Sequence, residues 1–128
     1  MCDQRFPTEL RIRSQADFER VYAARAFAAD DVLVVNGCAS GLEHPRLGLS
    51  ISRKVGSAVA RNAWKRRIRE AFRLCRQELP AGVDLVVRPQ QGAKCDFEAI
   101  ARSLPALAQR VARKLAAGPR RSRQEPRP

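Results

Sequence analysis

The segment from Arg46 to Arg76 carries ten lysines and arginines against one acid, Glu70, and so holds +9 of the chain's formal +12. Charge of one sign at that density resists burial, so this segment must keep one long side in water. Placed at 100° per residue, Ala60, Trp64, Ile68, Ala71, Phe72, Cys75 and Leu79 share one arc of a helix expected over 58–79. Arg61, Asn62, Lys65, Arg66, Arg69, Arg73 and Arg76 share the adjoining arc. One face packs, and its neighbour is a cationic stripe roughly 30 Å long at about 1.5 Å per residue. Gly56 and Ser57 open this helix, and Pro80 and Gly82 end it.

The remaining elements must supply the surface on which that helix packs. Ser14, with Asp17 three residues on, reads as an N-cap, and Phe18, Val21 and Tyr22 give the helix that follows, near 15–27, an apolar edge. Asp30–Cys38 reads as a strand, and 39–45, with Gly41 and Pro45, as a loop. Leu47, Leu49 and Ile51 alternate with Gly48, Ser50 and Ser52, a second strand buried on one face. The short loop predicts an antiparallel hairpin between the two. Val83, Leu85 and Val87 mark a third strand stopped by Pro89. Asp96 opens a last helix through Phe97, Ile100, Leu104, Leu107, Val111 and Leu115, which Pro105 is expected to kink or divide, with Ser103 as a second cap. The order α-β-β-α-β-α predicts a single-domain α+β sandwich over 1–117, its sheet covered by helices. The tail 118–128, rich in Pro and Arg, is expected to be disordered.

At 128 residues with 45% hydrophobic composition, the chain is long enough for one cored domain. It contains no apolar run near the roughly 20 residues that span a bilayer, and the N-terminus lacks the apolar stretch of a secretion signal. A cytoplasmic protein with free thiols is the expectation. Cys2, Cys38, Cys75 and Cys95 form no close pair, and the single histidine, His44, stands in a loop away from them, so neither zinc nor a Cys-His or Ser-His-Asp site is indicated. Cys38 and Cys75 read as small core residues. Gly37 and Gly41 match no phosphate-binding fingerprint, and Asp30-Asp31 reads as the start of a strand. The excess of arginine points instead to a polyanion, nucleic acid before membrane. Charge spacing leaves open whether the helix enters a DNA groove or lies against structured RNA, and a ribosomal-protein-like or DNA-binding module remains an alternative.

The run Ser52-Arg53-Lys54-Val55-Gly56-Ser57-Ala58-Val59-Ala60-Arg61-Asn62-Ala63-Trp64-Lys65-Arg66-Arg67-Ile68-Arg69-Glu70-Ala71-Phe72-Arg73 resembles the signature of the bacterial ribonuclease P protein component. Leu10-Arg11-Ile12-Arg13, Asp17-Phe18 and Val21-Tyr22 resemble that family's opening helix, and Arg46–Ser50 and Asp84–Pro89 its flanking strands, so the likeness runs over about 8–115. It implies a subunit of the ribonucleoprotein endonuclease that removes the 5′ leader from precursor tRNA. The RNA subunit would carry the chemistry and use Mg²⁺, with no catalytic residue and no cofactor held by the protein alone. One protein per RNA is expected, with no membrane and no protein partner. The implied fold has three strands before the basic helix and a left-handed βαβ crossover, like the second domain of a small-subunit ribosomal protein.

Carried over residue by residue, the resemblance assigns Arg53, Lys54, Arg61, Asn62, Lys65, Arg66, Arg69 and Arg73 to contact with the catalytic RNA. It assigns Phe18 and Tyr22 to a cleft that holds the precursor-tRNA leader, whereas their spacing alone reads as core. Two positions depart from the pattern. Ala63 stands where the motif has a second basic residue, which weakens one RNA contact. The strand aromatic of the cleft falls near Val35 or Asn36, neither of them aromatic. Trp64, on the apolar arc, reads as packing.

Overall fold

The computed structural model describes residues 11–12 and 14–117. The readings made for the first ten residues, for Arg13 and for the tail 118–128 lie outside the described residues. The elements are α1 (Gln15–Ala23), β1 (Ala26–Ala29), β2 (Leu33–Ala39), β3 (Arg46–Leu49), α2 (Ala58–Cys75), β4 (Val83–Pro89) and α3 (Phe97–Ala117), with 3-10 turns at Arg53–Val55 and Arg76–Glu78. The four strands form one sheet in the order β1-β2-β4-β3.

Alternation along the strands decides which layer each helix occupies. Leu33 and Val35 of β2, Leu47 of β3, and Val83, Leu85 and Val87 of β4 face a core shared with Trp64, Ile68, Phe72, Ile100, Leu104, Leu107 and Val111. So α2 and α3 cover one face of the sheet. On the other face Val21 of α1 is fully buried with Ile12, Cys38 and Val86, and Phe18 packs against them. β4 is buried from Val83 to Val87 because helices cover it on both sides.

The α+β sandwich is as expected, and its elements differ from the pattern reading in five places. First, α1 stops at Ala23. Arg25 adopts φ 59, and the next residues, Ala26–Ala29, form an edge strand. Ala-Phe-Ala-Ala has little intrinsic β preference, and its antiparallel pairing with Val34–Gly37 selects the conformation. Three strands thus precede α2, as the resemblance implied. Second, β2 and β3 form no hairpin. β4 lies between them, antiparallel to β2 and parallel to β3, so β3-α2-β4 is a parallel crossover unit. Third, β2 begins at Leu33. The Asp30 carboxylate accepts from Val32 N and Leu33 N and closes a turn in front of the strand.

Fourth, α3 is one helix through Pro105, so the proline does not divide it. The proline ring removes one hydrogen bond, at a cost of about 3 kcal/mol or more in a helix interior. Ile100, Leu104, Leu107, Ala108 and Val111, each at most 1% exposed, bury the helix on both sides of it. Ser103 caps nothing. Its hydroxyl donates to Asp30 Oδ2 at 2.6 Å and ties α3 to the turn before β2. Fifth, the expected helix end at 79 is shortened to Cys75, with the 3-10 turn following and Leu79 still in the core.

Two glycines let the helices approach. A Cβ at Gly37 would stand 2.7 Å from Val111 Cγ1, and one at Gly48 would stand 3.0 Å from Phe18 Cζ. α3 on one side and α1 on the other therefore sit nearly on the backbone.

Candidate nucleic-acid interface

The basic face is assembled at the N-terminus of α2. The Ser52 hydroxyl accepts from Lys54 N and caps the 3-10 turn, and the Ser57 hydroxyl accepts from Ala60 N and caps α2. Gly56 between them has φ 147 and ψ −156, a region essentially confined to glycine. This corner holds Arg53 and Lys54 in solvent beside the start of α2. Arg61 Nη1 donates to the Gly56 carbonyl at 2.9 Å and braces the corner.

Along α2 the two arcs separate as their spacing predicts. Trp64, Ile68, Ala71, Phe72 and Cys75 are buried, with Trp64 in the core, and burial pushes the Cys75 thiol up to about 11. Asn62, Arg66 and Arg73 are exposed, and Arg61, Lys65 and Arg69 are half-buried beside them. Among the described residues, Arg53, Lys54, Arg61, Lys65, Arg66 and Arg69 pair with no carboxylate. Arg73 forms a pair with Glu70 at 2.5 Å. Arg67 turns away from the stripe and donates to Cys95 Sγ at 3.6 Å.

A further arginine joins from outside the motif. Arg11 bridges to Leu47 at the free side of β3, and Ile12 N donates to the Leu47 carbonyl. Partial burial first, and the Arg11 charge second, lower the pKa of Arg69, which stays charged at neutral pH.

The opposite face of the sheet carries the second candidate surface. Phe18 and Tyr22 lie on one side of α1, while Asp17 and Arg20 lie on the other. Phe18 is half-buried over Gly48, and Tyr22 is 37% exposed. Beneath this helix the register sets Phe27, Asn36, Val86 and Gly48 in one cross-strand row, and Val34 and Arg88 in the next. Asn36 shares the α1 face and Val35 the main core, so of these two positions only Asn36 lies beneath α1. An open groove of about 600 Å³ runs from Val34 and Arg88 past Gln91 to Ser52, Lys54, Val55 and Trp64, and connects this floor to the start of the stripe.

On the far side of α1 the charges are matched. The Asp84 carboxylate is fully buried, and it accepts from Arg46 Nε at 2.8 Å, Arg46 Nη2 at 2.6 Å and Arg20 Nη2 at 2.7 Å. Arg20 also pairs with Asp17 at 3.0 Å. Burial pushes the Asp84 carboxyl up, and the Arg46 and Arg20 guanidiniums outweigh it and hold the group below the usual carboxylate range. Arg46, read from the sequence as part of the cationic run, therefore serves to clamp α1 to β4. The pattern gives Phe27 no role, and Asp84 enters only as the first residue of the family-like strand 84–89. A lone acid within an otherwise apolar strand was the available signal for Asp84, because such an acid needs a cationic partner to be buried.

A cationic stripe that pairs with no carboxylate among the described residues, on one face of a small α+β sandwich with half-buried Phe18 and exposed Tyr22 on the other, defines a nucleic-acid-binding protein. The family model for Ribonuclease P matches residues 6–112. The chain is 40% identical over 116 residues to a ribonuclease P protein component of Escherichia coli, covering 89% of this chain and 96% of that one. It is 38% identical over 115 residues to the component of Desulfovibrio desulfuricans, covering 85% and 88%. Among solved structures it is similar to the RNase P protein of Thermotoga maritima, with a TM-score of 0.72 and 31% identity, covering 78% of this chain and 96% of that one. The RNase P protein of Staphylococcus aureus matches with a TM-score of 0.69 and 36% identity, covering 78% and 93%. The chain belongs to the bacterial ribonuclease P protein family.

Proposed function

We propose that this chain binds the catalytic RNA subunit of ribonuclease P through Arg53, Lys54 and the α2 stripe, and the single-stranded 5′ leader of precursor tRNA through the α1 cleft. The observation that carries this reading is the stripe of six cations without a carboxylate partner among the described residues, in a chain of the ribonuclease P family. Arginine forks give paired hydrogen bonds to phosphate, and each neutralised phosphate releases counterions. Half-buried Phe18 and exposed Tyr22 offer ring faces to unpaired bases, which stack on aromatics whatever their sequence.

The protein's part is binding and positioning, and bond cleavage belongs to the RNA, with Mg²⁺ supplied there. Among the described residues, no three His, Cys, Asp or Glu side chains converge as metal ligands. No helix among the described residues is long and apolar enough to cross a membrane, and the proposed site of action is the cytoplasm, where tRNA matures.

Reconstitution tests this reading. The purified protein with a ribonuclease P RNA should stimulate leader removal at low Mg²⁺, and the protein alone, treated with ribonuclease, should cleave nothing. Tight binding to duplex DNA without stimulation would favour the DNA-binding alternative.

A further inference from the structure

Phe27 is the only large side chain of β1, it is 50% exposed, and it lies on the α1 face of the sheet. Its surroundings are more specific than chance exposure requires. Lys114 comes from α3, on the opposite side of the sheet. It reaches around the open edge of β1 and donates to the Phe27 carbonyl, and its ammonium stands 5.2 Å from the centre of the Phe27 ring. Phe27 shares a cross-strand row with Asn36, Val86 and Gly48, and Phe18 covers the other end of that row. An aromatic ring therefore stands at each end, with half-buried Asn36 between them.

Positive charge predominates around this edge, although Asp30 and Asp31 follow β1 directly. Arg25, exposed and at φ 59, leads into β1. α3 from Phe97 to Ala117 carries Arg102, Arg110, Arg113 and Lys114 against a single acid, Glu98. A ring backed by an ammonium, open to solvent and flanked by cations, suits a stacked base whose phosphate is neutralised nearby.

We propose that Phe27, backed by Lys114, is an additional base-stacking position that carries the single-stranded leader from the Phe18–Tyr22 cleft to the β1 edge. Binding then continues to gain with leader length beyond the nucleotides that Phe18 and Tyr22 hold. The proposal rests on the reading of the cleft as the leader site.

The test uses the assembled holoenzyme and precursor tRNAs whose leaders are shortened one nucleotide at a time. With the unaltered protein, affinity should rise in steps with leader length. Phe27→Ala should lose the step of the longer leaders, by about fivefold or more, since a stacked base is worth about 1–3 kcal/mol. Affinities for short leaders and mature tRNA should stay unchanged. Phe27→Trp should restore the step. Phe27→Leu, which keeps apolar bulk without a π face, should behave like Phe27→Ala, and Lys114→Gln should give a smaller loss. Thermal melts of each variant report its folding. The proposal is overturned if Phe27→Ala keeps every step, if Phe27→Leu restores the step, or if the loss is equal at all leader lengths. It is also overturned if Phe27→Ala changes only the oligomeric state in light scattering, which would make the β1 edge a contact between copies. If the unaltered holoenzyme shows no leader dependence, the cleft reading itself fails. If the dependence is present and Phe27→Ala retains it, only the Phe27 assignment fails.

Discussion

The stripe on α2 and the clamp between α1 and β4 are both built from arginine, and they use it in opposite ways. On the stripe, Arg61, Arg66 and Arg69 stand beside Lys65 with no carboxylate partner among the described residues. In the clamp, Arg20 and Arg46 converge on one fully buried carboxylate, Asp84. Unmatched charge on a surface repels itself and adds nothing to folding, but it is available to a polyanion. Matched charge at a buried site is unavailable to a ligand, and removing one partner strands the others. The position of Asp84 therefore separates arginines that hold the fold from those that can hold RNA.

The largest effect expected from breaking this division is in the clamp. Asp84→Ala should destabilise the protein by about 3 kcal/mol, the lower end for a broken buried ion pair, because Arg20 and Arg46 can partly rehydrate. Urea denaturation measures this, and RNA affinity at permissive temperature should change little. The pH dependence has a defined sign. Asp84 is held below its unfolded pKa of about 3.9, so its contribution is complete above that value. The contribution is lost as pH falls through the folded pKa. Asp84→Asn should flatten the acid limb of the stability profile, and an unchanged acid limb would place the titration elsewhere.

The stripe should respond in the reverse manner. The double variant Arg66→Ala/Arg69→Ala should lower the slope of log affinity against log salt by about two phosphates, and weaken RNA binding by about 2 kcal/mol near 0.1 M salt. Urea stability should shift far less than for Asp84→Ala. Equal affinity and slope would move the RNA surface off α2.

Tyr22→Ala addresses the cleft between these regions. Affinity of the holoenzyme for precursor tRNA should fall by about 1 kcal/mol, the lower end for one stacked base, because Asn36 offers no ring from the floor. Mature tRNA should bind as before, and the melting temperature should hold, since Tyr22 is exposed. Equal loss for both tRNAs, or a drop in stability alone, would return Tyr22 to a structural role.

Glu70→Gln should have the smallest effect. It releases exposed Arg73 from its pair at 2.5 Å, so RNA affinity should rise slightly and the salt slope should steepen. A fall in affinity would show that the pair itself orients Arg73 on the RNA.

The candidate stripe was legible because helical periodicity acts locally. Trp64, Ile68 and Phe72 had to lie on one side and Arg61, Lys65 and Arg69 on another in any fold that keeps this helix. Its neighbours were less legible. Arg11 comes beside Leu47 only because residues 11–12 run along β3, and Phe27 joins the α1 face only through its register with Asn36. Both contacts join segments far apart in the chain or on different strands, and no period in the sequence encodes them. The same holds for Ser103, whose partner Asp30 lies 73 residues away.

What the sequence determined by itself was set by short-range geometry: the cap at Ser14, the opening of α2 at Gly56 and Ser57, the two arcs of α2 and the apolar alternation of β3 and β4. What only the tertiary structure decided was the order of the strands, the conversion of Ala26–Ala29 from helix end to edge strand, the passage of α3 through Pro105, and the withdrawal of Arg46 from the cationic run. In each of these the local preference is weak or unfavourable. The deciding energy comes from packing, ladder hydrogen bonds or ion pairing with residues distant in the chain, which exist only once the sheet is assembled.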